Sequence, residues 1–388
     1  MRIAFVSDAY VPVPTGVAVS METLRVSLER LGHTVYIFAP KYPNHIDHNK
    51  HVARFPAFFS ATDSYRPVVW PVMTSLNRSK IEKLKIDIVH SHYFFDFFKL
   101  APNLAKLIDA PLIHTFYRVF PESARKKSFF NSAQGNAERI IQKSVSYANN
   151  CDQVIALSKQ SKKYLEDLNI TAPIEVLPIG IFPKDFASLP ALAIKEKFKI
   201  PANRKLILFV GRIDDEANIA FLLRSFKRVW KAIDEVHLLI IGGGEKLKHF
   251  QELSAIQPFS KFITFTGYMA KSKVNKLYGA ADLFVYPKTL DPEPLVILES
   301  LSAGTPVVAT KGYGAQDFVK ENTDGFITNF NEEDFSDKII ELLRRDKMRL
   351  EFSLRARSNA RNFSASNLTR DLVNLYDSVK IDRQHKIL

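Results

Sequence analysis

The chain has 388 residues, 46% of them hydrophobic and 24% charged, which is typical of a globular protein large enough for two domains. No window holds eighteen apolar residues without charge, so no membrane-spanning helix is expected; one cysteine, Cys151, excludes an intrachain disulfide and suits a reducing cytoplasm. The net charge of +13 favours polyanions such as anionic lipid headgroups or phosphorylated substrates, or reflects excess lysine that keeps the chain soluble. No nucleic-acid-binding motif is present, so nucleic acid is not an expected partner.

The first half of the chain alternates short apolar, β-rich runs with helical patterns. Residues 3–7 form the first expected strand, and its apolar run stops at Asp8 without a cleavage site, which argues against a signal peptide. In the helix that follows, four residues have the 3,4,3 spacing of one buried face: Met21, Leu24, Leu28 and Leu31. Gly32 is expected to end this helix. Further strands at residues 34–39, 86–90, 112–115, 153–156 and 175–177 predict a parallel sheet flanked by helices.

The alternation pauses at residues 180–203, where Pro183, Ser188 and Pro190 predict a linker. It resumes with strands at residues 205–210, 237–241, 262–265, 283–286 and 306–309 and a helix at residues 219–230. We therefore expect an α/β protein of two Rossmann-like, doubly wound parallel-sheet domains facing a central cleft. A final helix needs an apolar groove for the side chains that share one of its faces: Leu368, Leu372, Leu375, Tyr376 and Val379.

Two turns that follow strands have residues suited to an anion. Gly16 stands between the first strand and its helix, where a glycine lets backbone N–H groups approach an anion at the helix N-terminus; a purely structural turn is the alternative. Gly211 and Arg212 directly follow the strand at residues 205–210, and an arginine there suits bidentate phosphate binding. A surface arginine paired with Asp214 or Asp215 is the alternative.

A third signal is the run from residue 281 to residue 309. It contains a strand ending in Y-P-K, the segment D-P-E-P-L-V-I-L-E at residues 291–299, and A-G-T-P at residues 303–306. Leu295 is expected to begin a helix whose N-terminus, with the amides of Leu295 and Val296, points at an anion. Glu299 lies about one turn into that helix, where a carboxylate can accept hydrogen bonds from ribose hydroxyls.

This run resembles the donor-site signature of the family-four, retaining GT-B glycosyltransferases. Other segments resemble elements of that family in the same order: D-I-V-H-S-H at residues 87–92, H-T-F-Y at 114–117, C-D-Q-V-I-A-L-S at 151–158, and the glycines at 242–244, which resemble the loop that meets the nucleotide base. The resemblance spans about residues 1–380. Its pattern is most similar to bacterial diacylglycerol glucosyltransferases, which are peripheral membrane enzymes.

The resemblance implies a retaining hexosyltransferase that needs no metal and no cofactor, with a UDP- or GDP-hexose as donor and a lipid (diacylglycerol-like) or glycan as acceptor. It implies a domain at residues 1–183 for the acceptor and the membrane, a nucleotide-sugar domain at residues 184–365, and a helix at residues 366–388 that packs on the N-terminal domain. The implied donor-binding residues are Gly16, Gly211, Arg212, Gly243, Lys288, Leu295, Val296 and Glu299. The implied catalytic residues are His114, Arg212, Asp291 and Glu299.

Within that family, each implied residue has a role. Arg212 and the N-terminus of the Leu295 helix stabilise the leaving diphosphate, in the manner of an oxyanion hole. Glu299 holds the ribose, Asp291 holds the hexose, and His114 contacts a hexose hydroxyl near the reacting centre.

Basic residues beside apolar ones support an anionic membrane surface as a partner. Arg78, Lys80, Lys83 and Lys85 flank Ile81 and Leu84, and Arg125-Lys126-Lys127 stands beside Phe129-Phe130. A solvated helix face over buried phenylalanines is the alternative. The expected location is cytoplasmic, at the inner face of the cell membrane. No sequence feature specifies an oligomeric state.

Several donor-site positions depart from the family pattern. Ala217 stands in place of a lysine that contacts the diphosphate, and restoring that lysine is expected to tighten donor binding; Lys288 offers another cation. Asp291 is shorter than the usual glutamate, Pro294 replaces a glycine and has no N–H, and Glu293 adds a negative charge beside it. The alternative function is a catalytically weakened GT-B paralogue that acts as a binding or partner subunit.

Overall fold

The computed structural model describes residues 1–13, 15–59, 67–69, 78–92, 99–120, 132–186 and 190–387. These residues form two units, one made of Met1–Gly180 with Ala365–Leu388 and the other of Ile181–Ser364. Each unit has its own parallel sheet and its own hydrophobic core, as expected of a domain.

The N-terminal unit is built on a sheet of parallel strands. Its strands are β1 (Arg2–Val6), β2 (Thr34–Pro40), β3 (Val52–Phe55), β4 (Ala57–Phe59), β5 (Pro67–Val69), β6 (Ile88–Ser91), β7 (Leu112–Phe116), β8 (Gln153–Ala156) and β9 (Ile174–Val176). Seven of these form one sheet in the order β3-β2-β1-β6-β7-β8-β9, while β4 and β5 form a separate antiparallel pair. Every residue of β6, β7 and β8 is buried, as expected for parallel strands covered on both faces.

The helices of this part of the chain are α1 (Gly16–Arg30), α2 (Arg78–Glu82), α3 (Leu100–Ile108), α4 (Ser132–Ala148) and α5 (Lys159–Asp167). Met21, Leu24 and Leu28 form the buried face of α1, each at most 4% exposed. The prediction for Leu31 is wrong: it is 38% exposed, because α1 ends at Arg30 and the backbone has already turned out of the helix there. Gly32 ends the helix with φ at +85°, a conformation that glycine adopts without strain.

The C-terminal unit repeats this architecture. Its strands are β10 (Lys205–Val210), β11 (Val236–Ile241), β12 (Ile263–Phe265), β13 (Leu283–Tyr286), β14 (Val307–Thr310) and β15 (Gly325–Thr328). They form a parallel sheet in the order β12-β11-β10-β13-β14-β15. The prediction of two doubly wound parallel sheets is therefore confirmed, although β3 and β15 were not expected. Strand order reverses between β1 and β6 in one sheet and between β10 and β13 in the other, and ligands of such sheets bind at this reversal, beyond the carboxyl ends of the strands.

The remaining helices are α6 (Ala191–Lys197), α7 (Ile219–Ala232), α8 (Leu247–Ala255), α9 (Lys271–Val274), α10 (Leu295–Ala303), α11 (Ala315–Phe318), α12 (Glu332–Arg344), α13 (Asp346–Arg361) and α14 (Ala365–Ile387). The expected linker at residues 180–203 contains α6, whose Ile194 is 1% exposed in the apolar core of the C-terminal unit. Most of that stretch is therefore part of the second unit. Ser188, which was expected to interrupt it, lies outside the described residues.

The last helix, α14, supplies apolar side chains to the N-terminal core. Leu372, Tyr376 and Val379 are at most 5% exposed and join a cluster that includes Leu24 and Leu28 of α1. Leu368 and Leu375 are partly buried against the same cluster. The apolar groove that the helical stripe required is thus present.

Candidate functional site

The loops after β10 and β11 pack backbone against backbone at the carboxyl edge of the C-terminal sheet. Ile213 N donates a hydrogen bond to Gly243 O over 2.9 Å. A Cβ added at Gly242 would lie 1.8 Å from Gly211 O, and one added at Gly244 would lie 2.2 Å from Ile213 O. Gly242 and Gly244 also have φ values of +151° and +155°. Both positions therefore require glycine, which lets the two loops touch.

Gly243, the residue predicted to meet a nucleotide base, lies between these two glycines. A Cβ added there would be 3.4 Å from the Cβ of Tyr268, which is an ordinary contact. Tyr268 follows β12 and is 68% exposed, so a large aromatic side chain stands in solvent beside the glycine loop.

Arg212 is a partly exposed cation at the end of β10. Its side chain is 52% exposed, and its Nε lies 3.5 Å from Oδ2 of Asp214. That distance is long for a charge-assisted hydrogen bond, so the pair is weak. Within the described ranges, no other hydrogen bond or ion pair engages the guanidinium of Arg212. The pairing with Asp214 is thus real, and it leaves most of the five N–H donors of Arg212 for an anion.

Ala217, where the family pattern has a cation, is part of the core. It ends a 3-10 turn at Asp215–Ala217, is 0% exposed, and belongs to an apolar cluster with Ile219 and Phe221. The Cβ of a lysine at this position would lie in the apolar interior and not at the protein surface. Replacing Ala217 with lysine would therefore disturb the core as well as add a charge.

The segment before α10 is held by its own hydrogen bonds. Asp291 accepts hydrogen bonds from the Tyr286 hydroxyl (2.8 Å) and from the Glu293 N–H (3.2 Å). The N–H of Leu295, predicted to face an anion, donates instead to the carbonyl of Glu293 over 2.9 Å, and Pro294 has no N–H. Glu293 is 7% exposed, so its side chain is buried.

Tyr286 is the last residue of β13, and its hydroxyl donates to Asp291 in the loop after that strand. Burial raises the pKa of Tyr286 well above its usual value, and the nearby charges of Asp291, Glu216 and Asp214 raise it further. Among the described residues, only Asp291 is hydrogen-bonded to this hydroxyl; the charge of Asp214, the ion-pair partner of Arg212, acts on its pKa without a hydrogen bond. Lys288 follows the same strand and is partly exposed, and the described residues contain no ion-pair partner for its ammonium group.

Glu299 lies in the interior of α10 at 2% exposure, and each of its carboxylate oxygens has a partner within the protein. Its Oε2 accepts a hydrogen bond from the buried Tyr278 hydroxyl over 2.5 Å, and its Oε1 pairs with the ammonium group of Lys271. Burial and the carboxylate of Glu299 hold the pKa of Tyr278 well above its usual value, so this hydroxyl remains a donor. The sequence had suggested no partner for Glu299.

Gly16 begins α1 at the carboxyl edge of the N-terminal sheet. Thr15 caps the helix by accepting a hydrogen bond from Ala18 N over 3.2 Å at its side-chain oxygen. A Cβ added at Gly16 would have no atom within 4 Å. The space beside this glycine is therefore open, as an approach by a ligand would need.

His114 is anchored in the interior of the N-terminal unit. It is 4% exposed, and its Nδ1 lies 2.9 Å from Ser91 Oγ and 3.2 Å from the Ser91 carbonyl oxygen. Because a carbonyl oxygen can only accept, this geometry favours the tautomer with hydrogen on Nδ1, which leaves Nε2 as an acceptor. Burial lowers the pKa of His114 to about 4, so the imidazole is neutral at physiological pH.

Two further buried histidines lie beside it, and no role was predicted for either. His90 is hydrogen-bonded to the hydroxyls of Tyr376 (2.6 Å) and Thr115 (2.7 Å), and His92 to the hydroxyl of Tyr117 (3.0 Å). Burial lowers the pKa of His90 and of His92 well below the usual value. The H-S-H spacing at the end of β6 was visible in the sequence, but the contact with Tyr376 joins residues 286 positions apart.

The basic residues at α2 show only part of the expected membrane surface. Arg78, Lys80, Lys83 and Lys85 are exposed, whereas Ile81 is 7% exposed and so faces the interior. Ile81 is therefore not an apolar anchor at the surface. The cluster at residues 125–130, with its basic and phenylalanine residues, lies outside the described residues.

The described ranges contain neither a membrane-spanning helix nor a group of metal-binding side chains. None of the helices there is long and apolar enough to cross a membrane. The same residues contain no group of three or more His, Cys, Asp or Glu side chains that could hold a metal ion.

Two protein-family models match the chain, one in each half. The model described as Glycosyltransferase Family 4 matches residues 14–184, and the model described as Glycosyl transferases group 1 matches residues 191–359. The first match covers most of the N-terminal unit and the second most of the C-terminal unit.

Curated relatives extend over most of the chain. It is 27% identical over 342 residues to alpha-monoglucosyldiacylglycerol synthase of Acholeplasma laidlawii, covering 86% of this chain and 86% of the relative. It is 28% identical over 358 residues to the protein of the same name from Streptococcus pneumoniae, covering 88% of this chain and 78% of the relative.

Solved structures share the fold at lower sequence identity. Sucrose-phosphate synthase of Thermosynechococcus elongatus has a TM-score of 0.81 at 19% identity, covering 98% of this chain and 99% of that one. HepE of Anabaena, solved in complex with UDP, has a TM-score of 0.77 at 16% identity, covering 97% of this chain and 100% of that one.

Proposed function

The chain belongs to the family-four GT-B glycosyltransferases, and on that premise we propose that it transfers a hexose from a UDP- or GDP-hexose to a diacylglycerol-type lipid, with retention at the anomeric carbon. The observation that carries the proposal is Arg212, a half-exposed cation at the strand-order reversal of the C-terminal sheet. A nucleotide-sugar donor presents a diphosphate that such a guanidinium can bind in bidentate fashion.

In this proposal four side chains bind the donor: Arg212, Lys288, Asp291 and Glu299. Arg212 stabilises the negative charge that develops on the leaving diphosphate, which is the electrostatic part of catalysis. Lys288, partly exposed beyond β13, adds a second cation in place of the lysine that Ala217 replaces. Glu299 accepts hydrogen bonds from ribose hydroxyls, and Asp291 accepts one from a hexose hydroxyl.

His114 of the N-terminal unit acts in this proposal as a neutral acceptor. Its Nε2 accepts a hydrogen bond from a sugar hydroxyl, while Ser91 holds Nδ1 and so fixes the ring. A pKa of about 4 keeps this acceptor uncharged down to pH 5. The proposal includes no metal ion and no cofactor.

The lipid acceptor is supported by the relatives. Two proteins that match most of the chain are named alpha-monoglucosyldiacylglycerol synthases. We extend this acceptor class to the present chain, with action at the surface of an anionic membrane from the cytoplasmic side. The exposed basic residues at α2 support the membrane part of the proposal, at roughly 1 kcal/mol per cation close to the bilayer.

The test is sugar transfer by the whole chain to diacylglycerol in mixed micelles. Four donors, UDP-glucose, UDP-galactose, GDP-glucose and GDP-mannose, are compared with and without EDTA, and NMR of the product reads its anomeric configuration. Arg212→Ala should lower kcat/KM about 10- to 150-fold, the equivalent of losing a charge-assisted hydrogen bond.

The matched control is Arg228→Ala. Arg228 is 46% exposed and pairs with Glu333 over 3.0 Å, so this variant removes a similarly exposed cation that has no part in the proposed site. Equal activity of both variants would reject Arg212 as the diphosphate ligand. Binding of nucleotides without transfer to any lipid or glycan would instead indicate the non-catalytic paralogue.

A further inference from the structure

Both carboxylate oxygens of Glu299 already have a partner in this structure, and its side chain is buried. Tyr278, at 0% exposure, holds Oε2 from the inside, and the ammonium group of Lys271 holds Oε1. The two partners differ in accessibility, since the side chain of Lys271 is 49% exposed while that of Glu299 is 2% exposed. Lys271 is therefore the partner on the solvent side, and a ligand that arrives from solvent meets it before it meets Glu299.

A ribose hydroxyl and the Lys271 ammonium compete for the solvent side of Glu299, whose side chain is only 2% exposed. Both are donors, and the pair of Lys271 with Glu299 is charge-assisted, so a hydroxyl alone displaces it only at a cost in free energy. Once it is displaced, the Lys271 ammonium group, on its flexible four-carbon stem, can pair with another group of the same ligand. The phosphates of a nucleotide are the groups that such a cation would then pair with.

The surroundings of Arg212 lack two of the groups that would bind a diphosphate in the family pattern. Ala217 is 0% exposed within the apolar core and supplies no charge. The N–H of Leu295 is bonded to the Glu293 carbonyl, so it is not an open donor at the start of α10. Even with Lys288, a diphosphate bound near Arg212 consequently has fewer N–H partners in this chain than the family pattern provides.

We propose that Lys271 is a specificity-determining residue that blocks Glu299 until a nucleotide arrives and then pairs with the nucleotide's phosphate groups. It thereby selects phosphorylated nucleotides over nucleosides, which could take the ribose contact but could not compensate the displaced ammonium group. This inference rests on the proposed function, which assigns Glu299 to the ribose.

The experiment compares Lys271→Met with wild type by titration calorimetry against uridine, guanosine, UDP and GDP. For the base that wild type binds, the nucleoside should bind the variant about five-fold more tightly, because a competing pair worth about 1 kcal/mol is gone. The diphosphate should bind about five-fold more weakly, because the lost lysine–phosphate pair, worth about 2 kcal/mol, outweighs the same relief; the preference for the diphosphate should then fall about 25-fold.

Lys273→Met is the matched control. Lys273 is exposed on the same short helix, two residues along, and the structure gives it no ion-pair partner among the described residues. Its variant should bind all four probes as wild type does. Because Lys271→Met leaves the buried Glu299 without its cation, thermal melts confirm folding, and Lys271→Gln, which retains a neutral donor, should give affinities between wild type and Lys271→Met.

The outcomes separate this inference from the proposed function. A wild-type chain that binds none of the four probes would reject the proposed function. Normal wild-type binding with Lys271→Met indistinguishable from Lys273→Met would reject only the role of Lys271. Weaker nucleoside binding by Lys271→Met would also reject it, because a residue that blocks the ribose contact cannot assist it.

Discussion

Replacing Gly242 with alanine tests the contact between the two loops that position Arg212. The new Cβ would lie 1.8 Å from Gly211 O, whereas real Cβ contacts are hardly ever closer than 3.0 Å, so the backbone has to move by at least 1.2 Å (3.0 minus 1.8). A clash of this size between backbone groups belongs with the exceptional substitutions that cost about 4 kcal/mol or more. The melting temperature of the C-terminal unit should therefore fall by about 8–16 °C.

The same shift moves the residue that precedes Arg212, so nucleotide binding by the folded variant should weaken as well. Calorimetric melts give the stability, and titration with UDP and GDP below the transition gives the binding.

Two other glycines separate the causes of the expected loss. Gly267→Ala meets no atom within 4 Å but has φ at +71°, so it measures the backbone strain alone, about 1–2 kcal/mol. Gly16→Ala has neither a positive φ nor a neighbour within 4 Å and should leave stability unchanged or slightly raised. If Gly242→Ala and Gly267→Ala have the same melting temperature, steric contact between the loops is not the reason that position 242 requires glycine.

Three further predictions follow from burial and charge. Ala217→Lys should lower the melting temperature of the C-terminal unit by several degrees without tightening UDP or GDP binding, because position 217 is 0% exposed; tighter binding in calorimetry would show that the lysine reaches the phosphates. Asp324, 0% exposed, has its pKa raised to about 6 by burial, so the folded chain holds a proton that the unfolded chain releases, and this stabilising contribution is lost as pH rises from 4 to 7. The stability of Asp324→Asn relative to wild type should therefore improve by about 2 kcal/mol between pH 4 and pH 7, and a pH-independent difference between the two melting curves would contradict this. Co-sedimentation with anionic liposomes should fall as salt rises and should drop about 30-fold in Lys80→Ala/Lys83→Ala, at 1 kcal/mol per cation; absence of binding even at low salt would refute the membrane surface.

Sequence reasoning identified the loops of the candidate site but not the contacts within them. It located Arg212 from its position after an apolar strand, and the structure shows a half-exposed guanidinium there. It also proposed that Asp291 and Glu299 wait for sugar hydroxyls, whereas both carboxylates are already hydrogen-bonded within the protein. The partners of Glu299 lie 21 and 28 residues earlier in the chain, so no local pattern could reveal them.

Whether a single residue is buried or exposed was equally hard to predict. Ala217 was interpreted as the position of a missing cation on the diphosphate, and the structure shows a core residue at the end of a 3-10 turn. Leu31 continued the apolar spacing of α1 but is 38% exposed, since the helix ends one residue earlier. Periodicity describes a regular element, and it fails at the residue where that element ends.

The sequence by itself determined the two doubly wound sheets, because strand and helix periods are local properties that a dozen residues express. It also determined that residues 242–244 form a glycine loop, although not that two of these glycines are needed for contact with Gly211 and Ile213. The tertiary structure alone decided the contact of Tyr376 with His90, the burial of Ala217 and the pairing of Lys271 with Glu299. These depend on side chains that meet only after distant elements pack, and their energies are set by burial, which no single segment of the chain specifies.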